Sequence, residues 1–135
     1  MAMTRVNWIG GAQYHNLTLA CAALNAAFGP NTYLVGSALE RRDYRDVDVR
    51  VIMADADFDR LFGPDVVSHV AASGLWSLTC ASISEWLQAR TGLPIDFQIQ
   101  RQTQANEQHK GRPRSAIGLF YAPTCDDTPK YPGGG

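Results

Sequence analysis

Apolar side chains recur at Leu17, Ala20, Cys21, Leu24, Ala27 and Phe28, the three-and-four spacing that turns one stripe of a helix toward a core. Asn16 is placed to cap this helix and Gly29-Pro30 to stop it. Tyr33-Leu34-Val35 then reads as a short apolar strand that runs into Gly36-Ser37. From Asp46 to Met53 the chain alternates, with Val47, Val49, Val51 and Met53 on one face and Asp46, Asp48 and Arg50 on the other. The segment "ADADFDRLFGPD" predicts a turn and a brief helix. Asp65 stands where it would cap a further helix through Val66, Val67, Val70 and Ala71, ending near Gly74. Another helix is expected from Ser77 to Arg90, with Cys80, Ile83, Trp86 and Leu87 inward and Gly92 and Pro94 closing it. "PIDFQIQ" alternates again, with Ile95, Phe97 and Ile99 on one face and Asp96, Gln98 and Gln100 on the other. After Arg101 the periodicity lapses. "QTQANEQHKGRPRS" reads as a polar, basic loop, "AIGLFYA" as an edge strand and "PTCDDTPKYPGGG" as an irregular tail.

These elements predict one α+β domain over residues 1–135, a small mixed sheet with helices mainly on its apolar face. Its core runs over about 16–100, and the basic loop and tail occupy 101–135. A chain of 135 residues is long enough to bury a core without covalent staples. Its net charge of −1 gives no global attraction to nucleic acid or membranes, so any nucleotide binding must come from a local site. Cys21, Cys80 and Cys125 are widely spaced and odd in number, with no zinc-ligand spacing, which fits a reducing compartment. The start has no apolar signal region and no 18-residue apolar run occurs, so the expectation is a cytoplasmic protein with no membrane partner.

The acids change the picture. Positions i and i+2 of a strand share a face about 6.5–7 Å apart, so Asp46 and Asp48 aim at one region. Two carboxylates at that separation repel by about 2–3 kcal/mol at an effective dielectric of about 20. Asp96 lies on the polar face of another strand, and if the two strands are neighbours all three acids converge. Hard oxygen donors in that arrangement suit magnesium, which also bridges substrate phosphates. The plainer reading is three acids facing water on an open sheet. Gly36-Ser37 bears on the choice, because a strand ending in glycine lets backbone N–H groups approach a phosphate closely.

The order apolar strand, Gly36-Ser37, short polar segment, Asp46-Val47-Asp48 on a strand, then Asp96 on a later strand resembles the nucleotidyltransferase superfamily. That fold is shared by DNA polymerase β, the aminoglycoside nucleotidyltransferases and the minimal nucleotidyltransferases of toxin–antitoxin pairs. The resemblance spans about Asn16 to Gln100. It implies that Gly36 and Ser37 cradle triphosphate oxygens and that Asp46 and Asp48 hold two magnesium ions. Asp96 would be the third acid, a metal ligand that helps deprotonate the attacking hydroxyl. The implied activity is Mg2+-dependent transfer of a nucleoside monophosphate from an NTP such as ATP to a hydroxyl acceptor on a protein, an RNA or a small molecule.

Two departures keep a second expectation open. Ala38, Leu39 and Glu40 follow Gly-Ser where many relatives have a small residue and then Arg-Gly, and only eight residues separate Ser37 from Asp46. Larger relatives also add a helical acceptor-binding domain. The alternative is therefore a catalytically inactive protein of this fold that binds a nucleotide, RNA or a partner protein.

Among the arginines of the connection, Arg42 is the candidate phosphate contact. For at least two of Arg41, Arg42 and Arg45, pairing with Glu40 and Asp43 in a solvated turn is the simpler expectation. Arg50, one step beyond Asp48, is expected to pair with a carboxylate. The basic positions Arg101, His109, Lys110, Arg112 and Arg114 make the 101–114 loop a candidate surface for RNA or a partner protein, with plain solvation as the competing reading. Asp55, Asp57 and Asp59 open like a calcium loop, but Arg60 stands where that loop needs glycine and Val66 where it needs glutamate. His15, His69 and His109 have no nucleophile-elbow context, and Trp8, Trp76 and Trp86 read as core aromatics.

Overall fold

The computed structural model describes residues 7–66 and 74–119. The first helix, α1, runs Gly11–Phe28 and β1 runs Thr32–Val35; a single 3₁₀ turn, Ser37–Leu39, follows. Next come β2 (Val47–Met53), α2 (Asp55–Phe62) and α3 (Gly74–Thr91). The described chain ends with β3 (Ile95–Arg101), α4 (Gln102–Gln108) and β4 (Ser115–Ala116). The four strands form one mixed sheet in the order β3-β2-β1-β4. β2 runs parallel to β3 and antiparallel to β1, and β4 adds antiparallel to β1. The α+β class and the small mixed sheet are as the alternations predict.

One face of the sheet is the core. Val47, Val49, Val51 and Met53 of β2 lie with Ile95, Phe97 and Ile99 of β3 and Leu34 of β1, all buried. Leu17, Cys21 and Leu24 of α1 and Trp76, Cys80 and Leu87 of α3 join the same cluster. Burial pushes the two thiols up, to about 12 for Cys21 and about 11 for Cys80, so both pack as neutral groups. No helix among the described residues is long and apolar enough to cross a membrane.

α3 also lies along the free edge of β3. Trp76 Nε1 donates to the Ile99 carbonyl at 3.0 Å and Gln88 Nε2 to the Ile95 carbonyl at 3.0 Å. Between them the Phe97 N–H donates to Ser84 Oγ at 3.0 Å. Alternate residues of an edge strand point their backbone groups outward, and three in a row here are taken by helix side chains. Toward the opposite edge of the sheet Asn25 of α1 accepts from the Thr32 N–H and donates to the Ile117 carbonyl, tying β1 to the residue after β4. Gly118 follows, and a Cβ there would meet the Cys21 carbonyl carbon at 2.6 Å, so the chain passes over α1 without a side chain.

Several boundaries differ from expectation. α1 starts at Gly11 with Gly10 as N-cap, and Asn16 lies inside the helix. The first turn has little apolar pattern to announce it, but its hydrogen bonds form from Gly10 onward, where the Gly10 carbonyl accepts from Tyr14 N–H. β2 begins at Val47, leaving Asp46 just ahead of it. Among the described residues the edge strand covers Ser115–Ala116, and 120–122 of the expected stretch lie outside them. The basic loop is largely folded: Arg101 ends β3 and 102–108 is helix. α4 was invisible to periodicity because Ala105 is its one buried apolar residue. It packs on the face opposite the core, so helices are not confined to the apolar side. There Gln108 bonds the side-chain amide of Gln100, which is 0% exposed although its position in the alternation reads as solvent-facing. The helix expected through Val67, Val70 and Ala71, together with His69, Cys125 and the tail, lies outside the described residues.

α4 begins under a cap from another element. Asp55, at the start of α2, accepts the Thr103 N–H at 3.1 Å and the Thr103 hydroxyl at 2.7 Å. These bonds hold the Asp55 carboxyl below the usual carboxylate range. Asp55→Ala is expected to lower stability by about 1 kcal/mol near neutral pH, the usual cost of a lost cap. A depressed carboxylate stabilises fully above its unfolded pKa, about 3.9, and loses that contribution as pH falls through the lower folded value. Urea unfolding at pH 7 and at successively lower pH should therefore show the Asp55→Ala deficit shrinking on acidification.

Candidate functional site

The parallel register of β2 and β3 sets Asp48 opposite Asp96, with Arg50 opposite Gln98 and Ile52 opposite Gln100 on the same face. Val35 pairs with Asp48 from the other neighbouring strand. Gly36 comes next, at φ +79°, and its missing Cβ leaves room for the Asp48 carboxylate: a Cβ there would collide with Asp48 Oδ2. The 3₁₀ turn beginning at Ser37 is secured from outside the sheet, where the Trp8 N–H donates to the Ala38 carbonyl at 2.8 Å. Gly36, Ser37, Asp48 and Asp96 thus gather at one end of the sheet's polar face. Asp46, exposed and one residue ahead of β2, acts on Asp48 electrostatically.

Arg50 stands among these acids and is 8% exposed. Its Nη1 donates to the Asp96 backbone carbonyl at 2.6 Å and to the Val49 carbonyl at 3.1 Å. Nη2 lies 3.4 Å from Asp96 Oδ2 and 3.9 Å from Asp48 Oδ1. Nε is buried with no hydrogen-bond partner among the described residues. Arg50 therefore pairs with carboxylates, as its place on the acid face predicts, and it also stitches β2 to β3. Burial raises the Asp48 carboxyl above the usual range; Arg50 pulls it back, and Asp96 and Asp46 push it up again.

Among the described residues no three His, Cys, Asp or Glu side chains stand together as a metal cage. Asp48 and Asp96 share a guanidinium in the position where they would share a cation, and Asp46 lies outside the strand. The oxygen donors are hard, but only two of the three acids face one another and Arg50 already pairs with both. Asp48 feels two further negative charges, Asp96 and Asp46, against the one positive charge of Arg50. A shallow cleft of about 260 Å³ lies beside Asp96, lined also by Ser77, Cys80, Ser84 and Gln98. A groove of about 360 Å³ between α1 and α3 has no carboxylate in its lining.

The arginines are distributed differently from the expectation of a phosphate clamp. The Arg42 guanidinium lies 5.4 Å from the Trp8 ring centroid, a cation–π placement on the surface. Arg41 pairs with Asp43 at 3.3 Å, while Glu40 takes Arg112 from the far end of the chain at 2.6 Å. Arg101 is a structural clamp: Nε meets Asp59 Oδ1 at 2.8 Å, and the guanidinium lies 4.2 Å from the centre of the Phe58 ring. Arg114 donates to Asn106 Oδ1 at 3.0 Å and to the Ala105 carbonyl at 3.2 Å.

His109, one of the basic positions of the 101–114 segment, turns toward β3. Its Nε2 sits 3.1 Å from Gln100 Oε1. Its pKa is lowered by burial first and then by Arg50, Arg114 and Arg112, which favours a neutral ring. The turn after α4 thus borders the acid end of the sheet with positive charge.

The chain matches no protein-family model, no curated protein and no solved structure.

The contact of Gly36 with Asp48 is directly testable. Gly36→Ala is expected to cost about 1–3 kcal/mol, because the backbone there is unfavourable for an L-residue and the Asp48 carboxylate must move. In an Asp48→Ala background the same change should cost at least about 0.5 kcal/mol less, the coupling of residues in contact. Additive losses in a double-mutant unfolding cycle would show that the two positions do not communicate.

Proposed function

We propose that this domain transfers a nucleoside monophosphate from an NTP, such as ATP, to a hydroxyl acceptor, with Mg2+ as cofactor. The observation that carries the reading is the in-register pair Asp48–Asp96 with Gly36 against Asp48, at the end of the strand that leads into Ser37. The arrangement follows the order of the nucleotidyltransferase motif, and the neighbouring parallel strands bring its last acid opposite Asp48, while Asp46 stays exposed just ahead of β2.

In this reading Gly36 and Ser37 lie along the triphosphate and keep the α-phosphorus in line with the acceptor. The acceptor oxygen forms a bond to that phosphorus, the bond to the bridging oxygen breaks, and pyrophosphate leaves. Asp96, beside the cleft, takes the hydroxyl proton. Asp46, Asp48 and Asp96 are the residues that would hold Mg2+, which supplies charge neutralisation at the attacking and leaving oxygens when bound. Most of the catalytic work is positioning and electrostatics.

A second reading keeps nucleotide, RNA or partner-protein binding without transfer. Arg50 favours it by partly neutralising two of the three acids, and the position of Arg42 on Trp8 favours it by removing one phosphate contact. The segment 101–114 is the candidate surface for RNA or protein, now as the outer side of α4 and the turn after it.

Incubation with α-labelled NTPs, Mg2+ and cell lysate separates the two. Label transfer is expected, and Asp48→Asn and Asp96→Asn should each reduce it at least about 100-fold, the scale of loss for an electrostatic or acid–base catalytic group. Transfer that persists in both variants rejects the catalytic assignment. Calorimetric nucleotide binding that needs no Mg2+ and is unchanged by Asp48→Ala supports the second reading.

A further inference from the structure

We propose that the outer face of α1 is a dimer interface, on which α1 of a second copy packs antiparallel with Leu19 against Leu19 at the two-fold axis. The inference is independent of the reading of the acids. Those lie on the face of the sheet opposite the core that α1 covers.

The composition of α1 sets it apart from an ordinary surface helix. Its 18 residues include no Asp, Glu, Lys or Arg, although Ala12, His15, Leu19, Ala23 and Ala26 are all exposed. A helix with one face in a core carries charge on the other, whereas one that is apolar or small all round is covered on both sides. Leu17, Cys21 and Leu24 make up the covered side. The other side stays open among the described residues, with Leu19 50% exposed at its centre. The apolar surface also continues past the helix. The groove of about 360 Å³ opens beside Leu19 and Ala23, with Trp86 of α3 in its lining. On the other flank the chain passes Cys21 and Ala22 at Gly118, and Leu119, 55% exposed, comes next. A continuous uncharged patch of this kind marks a contact surface.

The spacing of the stripe identifies the occupant. Leu19 stands at the middle of Gly11–Phe28, and the exposed positions are set evenly about it: His15 and Ala23 four residues to either side, Ala12 and Ala26 seven. A two-fold axis through Leu19 therefore places His15 against Ala23 and Ala12 against Ala26, twice each, with a small side chain in every pair. Small side chains let the two axes approach to about 8 Å, the near end of the range for packed helices. A face without charge also leaves no charge unpaired when it meets its own copy. The same absence argues against other occupants. A helix lying on a membrane carries Lys or Arg along its polar face, and a nucleic acid needs such residues for its phosphates. An 18-residue helix about 27 Å long and about 10 Å across has a footprint well short of the about 800 Å² per partner of a standard interface. The dimer formed by α1 and its flanks is accordingly a reversible one.

The test is sedimentation velocity of the full chain over a concentration series. Dimerisation is expected with a Kd of about 1–100 μM. Leu19→Glu sets two like charges at the axis and should weaken it at least about 10-fold. Leu61→Glu, at an equally exposed leucine of α2, should leave it unchanged. Oxidative cross-linking reads the geometry in a Cys125→Ser background, where the remaining Cys21 and Cys80 are buried. Leu19→Cys should form a covalent dimer. Ala23→Cys should not, because its two copies stand about 12 Å apart along the axes and a disulfide spans at most about 7 Å between Cα atoms. A chain that remains monomeric at about 300 μM overturns the proposal, and binding of that monomer to phosphatidylcholine–phosphatidylglycerol vesicles would assign the face to a membrane instead. A dimer indifferent to Leu19→Glu overturns the choice of surface. Cross-linking through Ala23→Cys and not Leu19→Cys overturns the antiparallel arrangement. If Leu19→Glu does not fold, the cross-linking pair still decides, since both of its sites are exposed.

Discussion

The parallel pairing of β2 with β3 is the constraint on which the site depends. It sets Asp48 beside Asp96, and it is enforced from the opposite face by Val47 with Ile95, Val49 with Phe97 and Val51 with Ile99, all buried. Because side chains alternate, a slip of one residue would drive Asp48 toward the core and a valine toward water. The register is therefore fixed by hydrophobic burial, far more strongly than by the acids, which repel one another. Arg50 adds a polar lock through the Asp96 carbonyl. A site of mutually repelling charges persists because the apolar side of the same strands leaves it no alternative.

Periodicity made the strands legible. Val47 to Val51 and Ile95 to Ile99 alternate cleanly, with Ile52 an apolar exception on the other face, and α1 and α3 carry apolar stripes whose main members, Leu17, Cys21, Leu24, Cys80 and Leu87, are buried. The meeting of Asp48 with Asp96 was legible as a condition: it required the two strands to be neighbours, and no local signal decides adjacency. What stayed hidden was held by polar groups. α4 has one buried apolar residue and relies on the Asp55 cap and the contact with Gln100. Gln100 reads as surface until a helix arrives to cover it. Arg42 and Arg101 carry the same charge in the sequence, yet one lies on the Trp8 ring and the other clamps Asp59, because partners distant in the chain choose between such roles.

The polar face is divided along its length. At the β1–Gly36 end lie the acids, and at the other Ile52 and Gln100 are buried, with α4 against that face. Arg50 marks the boundary, bonded to β3 and within reach of the charges of both regions. The long-range Arg112–Glu40 pair draws the turn after α4 toward the turn after Gly36. Negative and positive groups are consequently set side by side over a short distance.

The helix laid along β3 has an effect on assembly as well as on folding. With Trp76, Ser84 and Gln88 occupying its outward backbone groups, that margin gives an incoming strand nothing to zip onto. Growth of the sheet by a peptide or a second copy is barred on the flank nearest the acids, and strand addition would have to begin beside Ser115–Ala116. The flank of the sheet beside the acids is in this way closed to β-type self-association.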